Sequence, residues 1–436
     1  MDFSRRLRRP PALLALAACL PAAGAVAHHA VRAALARTAE RMSAKYNMSI
    51  SLAYHSPELS LAVAAGQTDA GLDMGVPSRT AKPDDLYVWG STTKMFTAPA
   101  VLQLVERGVV SLTDPIAKHI DPILLKLNGT RLEDHFGASI ASVHVEHLLH
   151  MTSGLADYDG EAFARDQFAH RSKAFGPVEI IGKYVDPTLT FPPGTKQEYC
   201  STNYILLGLL LARHGRAAGQ PWSWHGFDQL SVVPKDLRGA FSHSKFANNG
   251  PCKDFTPVHG FMDSYSTASL PSQDVWNVSC AGGWTAGNYI GPTADVARFT
   301  YELYNVRNPL IVSKSSQAKL INFAAPSSVE ASGSGFKFYG MGTFSLDWSV
   351  GDAEAYGHVG DTYGHQSQTT YFPGLDFVLS VATNVETASQ AQPADTTCIA
   401  YHEVVAALQG TTPPSCTFTV PYRFVGKCTC TQTVVV

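Results

Sequence analysis

The chain has 436 residues, 45% of them hydrophobic and 16% charged, which is enough to bury a large core in one domain or in two closely packed ones. Its formal net charge of -3, with both signs interspersed, excludes the basic surface that nucleic-acid-binding proteins rely on. We therefore expect no nucleic-acid partner, and a small molecule of little charge as the ligand.

Residues 1–27 are typical of a secretory signal peptide, with arginines followed by a short apolar, alanine-rich stretch. That stretch is too short to span a bilayer, and no later segment has the roughly eighteen uninterrupted apolar residues that a spanning helix requires. We expect a secreted or extracytoplasmic protein without a membrane span, with a lipid anchor at Cys19 as the alternative. Acceptor tripeptides for N-glycosylation begin at Asn47, Asn128 and Asn277 and favour a eukaryotic secretory route.

The hydrophobic pattern predicts a helix over residues 31–42, followed by two strands, 48–54 and 59–64, that form an antiparallel hairpin. A loop rich in glycine, proline and aspartate then leads through residues 86–89 to a strongly helical run over 93–108.

Helices dominate the middle of the chain, and strands return near its end. The predicted helices of the middle are 143–150, 203–214, 293–304 and 313–323, and long surface loops are expected over 222–277. The predicted late elements are strands 337–344, 366–372 and 376–382, the last two joined through Pro373-Gly374, and a final helix over 396–408.

An isolated hairpin is only marginally stable, so the early and late strands are expected to join one antiparallel sheet. The predicted fold class is α+β, an α/β sandwich in which helices flank the sheet and a mostly helical lobe is inserted. The predicted domain is 28–409, with an α/β lobe of 28–90 and 330–409 and a helical lobe of about 91–329. Residues 410–436 form a tail rich in cysteine and threonine.

A hydroxyl and an amine lie three residues apart, at Ser91 and Lys94, at the head of the helix predicted over 93–108. Positions i and i+3 share one face of a helix, so the lysine reaches the serine oxygen. A lysine whose pKa is lowered by burial can take the proton of a serine and make it a nucleophile. The alternative interpretation is that Ser91 only caps the helix and that Lys94 is a solvent-exposed lysine without a catalytic role.

Three further motifs follow in order: Leu148 to Leu155, with Thr152-Ser153-Gly154; Tyr199-Cys200-Ser201 before a helix; and His358-Val359-Gly360. Together with Ser91-Thr92-Thr93-Lys94, they resemble the serine β-lactamase and penicillin-binding-protein superfamily over about residues 31–409. The similar branch holds class C β-lactamases, D-alanyl-D-alanine carboxypeptidases and related esterases. The resemblance implies an antiparallel sheet of the five-stranded type.

The resemblance also implies a role for each motif residue. Ser91 is the expected nucleophile, and Lys94 and Tyr199 are expected to move its proton, with the tyrosine as phenolate or as relay to the leaving group. The expected substrate-binding residues are Ser201, His358, Gly360 and Asp361, of which His358 polarises the site or meets a substrate carboxylate. The backbone N–H groups of Ser91 and Asp361 are the expected oxyanion hole.

This chain departs from the family pattern at Ser201, where relatives usually carry asparagine. A hydroxyl offers fewer hydrogen bonds than an amide, which favours esterase or peptidase activity over β-lactam hydrolysis. The alternatives are a buried core tyrosine at 199, a hydrogen-bonded filler at His358, and a binding protein that keeps the fold without catalysis. We expect a small ester, amide or peptide as substrate and no cofactor.

Eight cysteines, less the one at Cys19, leave an odd number of seven in the expected mature chain. In an oxidising compartment they are expected to pair where geometry permits, with Cys200 left free because a disulfide there would pull on the tyrosine loop. His144, His147 and His150 are spaced like metal ligands, but their place before Thr152 matches a structural segment of the family, so no metal site is predicted.

Overall fold

The computed structural model describes residues 21–72, 74–215, 223–262, 273–324, 339–351, 353–387, 391–419 and 433–435. Most of the predicted signal peptide, with Cys19, lies outside these residues, as do Cys428 and Cys430 of the tail. Among the described residues, no helix combines the length and the apolar character needed to cross a membrane.

The largest sheet has six strands in the order β2-β1-β11-β10-β9-β8, and every neighbouring pair is antiparallel. Five strands are six to eight residues long, and the sixth is a two-residue edge. The strands of this sheet are β1 Ile50–His55, β2 Ser60–Ala65, β8 Phe344–Ser345, β9 Tyr356–Thr362, β10 His365–Phe372 and β11 Phe377–Thr383. The predicted joining of early and late strands is confirmed, because β1 pairs with β11 along its whole length.

The remaining strands are short and belong to three small sheets, of order β3-β7-β4, β12-β5-β6 and β13-β14. These strands are β3 Tyr87–Val88, β4 Lys245–Phe246, β5 Phe261–Met262, β6 Gln273–Asp274, β7 Tyr289–Gly291, β12 Val385–Glu386, β13 Thr417–Thr419 and β14 Thr433–Val435. The small sheets were not predicted, because strands of two or three residues are too short to show a period.

Helices cover both faces of the large sheet. They are α1 Pro21–Tyr46, α2 Lys94–Glu106, α3 Ile116–Leu127, α4 Leu132–Phe136, α5 Val145–Leu149, α6 Glu161–Ala169, α7 Pro177–Tyr184, α8 Thr202–His214, α9 Thr293–Tyr304, α10 Lys314–Leu320 and α11 Ala391–Gln409. Helices α1 and α11 pack together against β2, β1 and β11, whereas α9 packs against β1, β11 and β10.

Side-chain alternation along the strands explains the two packed faces. On the α11 face, Phe377 stacks near Tyr401 at a ring distance of 6.2 Å. On the α9 face, buried hydroxyls pair across the layers, with Ser51 Oγ 2.8 Å from Thr293 Oγ1. The predicted sandwich of sheet and flanking helices is confirmed and includes α9 as a further layer.

The predicted strand over 337–344 is wrong for the residues that the structure describes. Only β8 is a strand there, and the chain before it folds back so that the Gly340 N–H donates to the Thr343 carbonyl at 2.9 Å. Gly342 adopts a φ of +67°, which glycine tolerates and extended chain does not use. The aromatic and small residues that alternate here therefore form a tight turn and not a strand.

Two disulfides lie among the described residues, Cys252–Cys280 and Cys398–Cys416. The second joins helix α11 to the start of the predicted tail. Cys200 is buried and free, as predicted.

Candidate active site

Ser91 lies where strand β3 turns into helix α2, in a short 3-10 turn, Ser91–Thr93. Gly90 makes this turn with a φ of +50°, and a Cβ on it would lie 2.4 Å from the Asp361 carbonyl oxygen. Only glycine fits here, because both the backbone angle and the space exclude a side chain. Ser91 is therefore held, partly exposed, at the head of α2 beside strand β9.

Lys94 is fully buried below Ser91. Its Nζ lies 2.8 Å from Ser91 Oγ, 2.8 Å from the Ala286 carbonyl oxygen and 3.3 Å from Ser201 Oγ. A charged amine donates to all three oxygens, and a neutral amine donates to two and accepts the Ser91 proton with its lone pair. These three oxygens can therefore meet the hydrogen-bonding needs of Lys94 Nζ both as a charged and as a neutral amine.

Burial lowers the pKa of Lys94 from 10.5 to about 7, against an opposing effect of the Asp157 and Asp159 carboxylates. A large fraction of the amine is therefore neutral near neutral pH. Lys94 has both the position and the basicity to act as general base toward Ser91.

The Tyr199 ring covers this amine, with its centroid 5.0 Å from Lys94 Nζ. Its hydroxyl oxygen is buried and has no hydrogen bond of ordinary geometry among the described residues, although the nearby Ser91 hydroxyl acts on its titration. Burial raises the pKa of Tyr199 far more than Ser91 lowers it. The resting side chain is therefore a neutral phenol, which favours the relay role over the phenolate.

Ser201 is fixed by a carboxylate that the sequence analysis did not single out. The backbone N–H of Ser201 donates to Asp157 Oδ2 at 2.9 Å, at the start of helix α8. Partial loss of solvent contact raises the pKa of the Asp157 carboxyl, and hydrogen bonds from backbone N–H groups oppose that rise. Asp157 thereby anchors the turn that carries Tyr199 and Ser201.

Asp159 lies next to this anchor on an exposed part of the chain. Water reaches both Asp157 and Asp159, but the walls of the cleft still raise the pKa of Asp159 to about 6, with the Asp157 charge adding to the rise. Two carboxyl groups therefore lie near one buried amine.

His358 occupies a fully buried position on strand β9. Its Nε2 lies 2.9 Å from the Tyr339 hydroxyl, and its Nδ1 contacts the carbonyl oxygen of Val359. A carbonyl only accepts, so Nδ1 carries the proton and Nε2 accepts from Tyr339. Burial holds the pKa of His358 well below its usual range, and the Lys94 charge adds to this.

The expected contact of His358 with a substrate carboxylate needs correction for this reason. Both ring nitrogens already have partners inside the protein, and the ring is neutral. His358 lies behind Tyr199, at a ring distance of 6.4 Å, and supports the site from within.

Gly360 and Asp361 lie along the strand edge next to the nucleophile. A Cβ on Gly360 would lie 1.9 Å from the Trp89 carbonyl oxygen, so the absence of a side chain lets β9 approach the turn before Ser91. Ser367 Oγ donates to the same carbonyl at 3.0 Å. The turn before Ser91 therefore lies against Gly360 and Asp361, and the oxyanion hole formed by the Ser91 and Asp361 N–H groups stays a prediction.

The structure brings Ser91, Lys94, Tyr199 and Ser201 together. It places Gly360 and Asp361 beside them and His358 behind them. The sequence analysis missed Asp157, Asp159 and the Ala286 carbonyl. Two acidic residues within five positions of Gly154 were a detectable signal in the sequence, whereas the contribution of a backbone carbonyl has no sequence signal.

The histidines before this motif have structural contacts. His147 Nδ1 accepts the backbone N–H of His144 at 3.1 Å and so caps helix α5. His144, Glu146 and His147 have ligand atoms within 4.8 Å of one another, but this cap already uses one of those nitrogens.

Comparison with known proteins supports this reading of the fold. The Beta-lactamase family model matches residues 31–224. Protein flp of Staphylococcus aureus (strain MRSA252) is 27% identical over 202 residues, which are 46% of this chain and 36% of flp. The match thus spans about a third of the length of that relative. Penicillin-binding protein 4 of Amycolatopsis lactamdurans is 25% identical over 76% of this chain and 81% of its own.

Among solved structures, D-amino acid amidase from Ochrobactrum anthropi SV3, complexed with L-phenylalanine, has a TM-score of 0.65 at 20% identity. The alignment covers 87% of this chain and 98% of the amidase. The antiparallel sheet, its flanking helices and the lobe that carries the serine define a β-lactamase/transpeptidase-like fold. The family model and the match to Penicillin-binding protein 4 support the resemblance of this chain to the serine β-lactamase and penicillin-binding-protein superfamily.

Proposed function

We propose that the protein is a secreted or extracytoplasmic serine hydrolase that cleaves small amides or esters through an acyl-enzyme. The observation that carries the proposal is the 2.8 Å contact between Ser91 Oγ and the buried Lys94 amine, whose pKa is about 7. A serine without such a base is inert at neutral pH.

In the proposed mechanism, neutral Lys94 takes the Ser91 proton as Oγ bonds to the substrate carbonyl carbon. The N–H groups of Ser91 and Asp361 stabilise the oxyanion that forms. The Tyr199 hydroxyl gives its proton to the leaving nitrogen or oxygen and regains one from Lys94, which leaves an acyl ester on Ser91. Water then repeats the attack, with the same groups moving its proton.

The site favours amide or peptide substrates over β-lactams that carry a carboxylate. His358, which stands where other branches carry a lysine, is buried and neutral, so it supplies no cation for such a carboxylate. One solved neighbour is named as a D-amino acid amidase, and one relative as a penicillin-binding protein. Amides of amino acids are therefore the first substrates to test.

Covalent labelling tests the proposal directly. The purified protein is incubated with a fluorophosphonate and, separately, with benzylpenicillin, and its intact mass is measured. We expect one fluorophosphonate adduct on the wild type and none on Ser91→Ala. An unlabelled wild type that also fails to hydrolyse amides and esters would instead support a non-catalytic binding protein.

A further inference from the structure

Met151 ends helix α5 in a backbone conformation that is uncommon for a residue with a side chain. It follows the C-cap residue His150 and adopts a φ of +60°. The Thr152 N–H donates to the His147 carbonyl at 2.8 Å and closes the helix end around it. Glycine is the usual residue at this position, because a side chain strains the left-handed backbone. A fully buried methionine here indicates that its side chain has a role that glycine could not fulfil.

Met151 binds the chain on both sides of Tyr199. The Glu198 N–H donates to the Met151 carbonyl oxygen at 2.9 Å, and the Cys200 N–H donates to the Met151 sulfur at 3.4 Å. The same sulfur accepts the side-chain amide of Asn203, in the first turn of helix α8, at 3.4 Å. One residue therefore holds the turn immediately before and immediately after the tyrosine.

The sulfur is a weak acceptor, but its two donors are buried. Cys200 and Asn203 are both buried, and a buried N–H group without an acceptor is costly. The Asn203 side chain is also held from its other end, because its Oδ1 accepts the Ser153 hydroxyl at 2.6 Å. An apolar side chain at position 151 would leave both N–H groups without this acceptor, and the turn would have to move to recover their hydrogen bonds.

The Tyr199 hydroxyl depends on this turn for its position. Among the residues that the structure describes, it has no hydrogen bond of ordinary geometry that would fix it. The ring stacks on Phe344 at 5.5 Å between ring centroids and covers Lys94 Nζ at 5.0 Å. This packing sets the plane of the ring, whereas the backbone on either side sets how far the hydroxyl reaches toward Ser91.

We propose that Met151 is a positioning residue for Tyr199, and that its sulfur holds the turn in the place from which the hydroxyl can act as proton relay. This inference rests on the proposed function, because it concerns the relay of the same site. The hydrogen bonds of Met151 described above go to the turn and to helix α8, so its effect on catalysis passes through Tyr199. A displacement of about 1 Å at a reacting group can cost about 100-fold in rate.

Two substitutions and a matched control test the role of the sulfur. Met151→Leu keeps the approximate volume and the strained backbone but offers no acceptor, whereas Met151→Gly relieves the strain and also lacks the sulfur. The control is Met42→Leu, since Met42 is fully buried in helix α1, which packs against α11, β1 and β2. Circular dichroism identifies the folded variants, and either variant at position 151 gives the test.

The substrates are phenylalanine amide and phenylalanine p-nitrophenyl ester, each as D and L enantiomer. They share one acyl group and differ in the leaving group. The amide nitrogen needs a proton to depart, whereas p-nitrophenolate does not. Because kcat/KM reports the acylation step, the ratio of its values for amide and ester measures the relay.

We expect both Met151 variants to lower kcat/KM about tenfold for the amide and less than about threefold for the ester. Met42→Leu should change neither value more than about twofold. In the Tyr199→Phe background, adding Met151→Leu should lower kcat/KM for the amide less than about twofold, because the hydroxyl that Met151 positions is already absent.

Equal losses on amide and ester, no loss on the amide, or the same loss in the Tyr199→Phe background would overturn the proposal. If a labelled wild type cleaves no amide, the methyl ester takes the place of the amide, because its leaving oxygen also needs a proton.

Fluorophosphonate labelling of Ser91 separates this proposal from the proposed function. The departing fluoride needs no proton from Tyr199, so the wild type and Met151→Leu should be labelled at rates within about threefold of each other. A wild type that is neither labelled nor active refutes the hydrolase and, with it, the role of Met151. A labelled, active wild type whose Met151 variants match its amide rate refutes the role of Met151 alone.

Discussion

Lys94 and His358 are both basic, both fully buried and both part of a family motif, yet their protonation behaviour differs. Burial lowers the pKa of each. Two carboxylates oppose this effect at Lys94 and leave its pKa near 7, whereas the Lys94 charge pushes the pKa of His358 further down. The comparison teaches that burial alone does not create a catalytic base; nearby acids decide whether it titrates in the useful range.

The largest effect is expected from Lys94→Met, which keeps the length and apolar stem of the side chain but removes the amine. We expect kcat/KM for an amide to fall at least about 1,000-fold, because Lys94 is the one basic side chain, among the residues that the structure describes, in hydrogen-bond contact with Ser91 Oγ. Circular dichroism and thermal unfolding should show a folded protein. A variant that keeps more than a tenth of the wild-type rate would remove Lys94 from the mechanism.

Tyr199→Phe is expected to have the next largest effect, since it removes the relay and keeps the ring that covers Lys94. We expect kcat to fall about 100-fold for amides. Esters with a good leaving group should lose less, because their leaving oxygen needs no proton. Steady-state kinetics on an amide and an ester of the same acyl group measure the difference, and equal losses would contradict the relay.

The pH profile sharpens the comparison without a mutation. The neutral form of Lys94 is the base, and it prevails above the pKa of about 7, so kcat/KM should rise with pH and level off above that value. Below pH 7 the rate should fall about tenfold per pH unit. The titratable groups that raise the pKa of Lys94 are Asp157, Asp159 and Cys200. Asp159→Asn removes the charge of one of them, so the rise of kcat/KM with pH should move to lower pH. If the rising part of the pH profile is unchanged in Asp159→Asn, Asp159 does not act on Lys94.

His358→Gln is expected to have the smallest effect on activity. Glutamine keeps one donor and one acceptor near Val359 and Tyr339, so we expect a loss of stability of about 1–3 kcal/mol and less than about a tenfold change in kcat/KM. The change should be equal for substrates with and without a carboxylate. A selective loss on carboxylate substrates, measured by steady-state kinetics, would restore the direct contact that the structure excludes.

Local patterns predicted much of the fold. Helix α9 begins and ends at the predicted residues, Thr293 and Tyr304, and the hairpin of β10 and β11 follows from its Pro373-Gly374 turn. The strand predicted over 337–344 fails in its described part, 339–343, where the alternation was right but the glycines permit a tight turn. Strands of two or three residues, such as β3 and β7, arise from tertiary pairing and have no local signal.

The candidate site, like the fold, was predictable from the sequence only where local spacing determines the contact. Ser91 and Lys94 are neighbours by helix geometry, so their spacing was sufficient. The approach of Asp157 to the Ser201 N–H depends on how the loop before α6 folds over α8, which no spacing encodes. The burial of His358 depends on Tyr339 and Phe344 closing over strand β9, and its motif alone suggested a different role.

The close approach of Gly90 to Asp361 has a consequence for biosynthesis. The serine turn is synthesised early, but the strand edge beside it is made only when more than four-fifths of the chain has been polymerised. A nascent or truncated polypeptide ending before β9 has no partner for this turn and therefore no assembled nucleophile. Labelling of Ser91 by an activity-based probe is therefore expected only in chains that extend beyond β9.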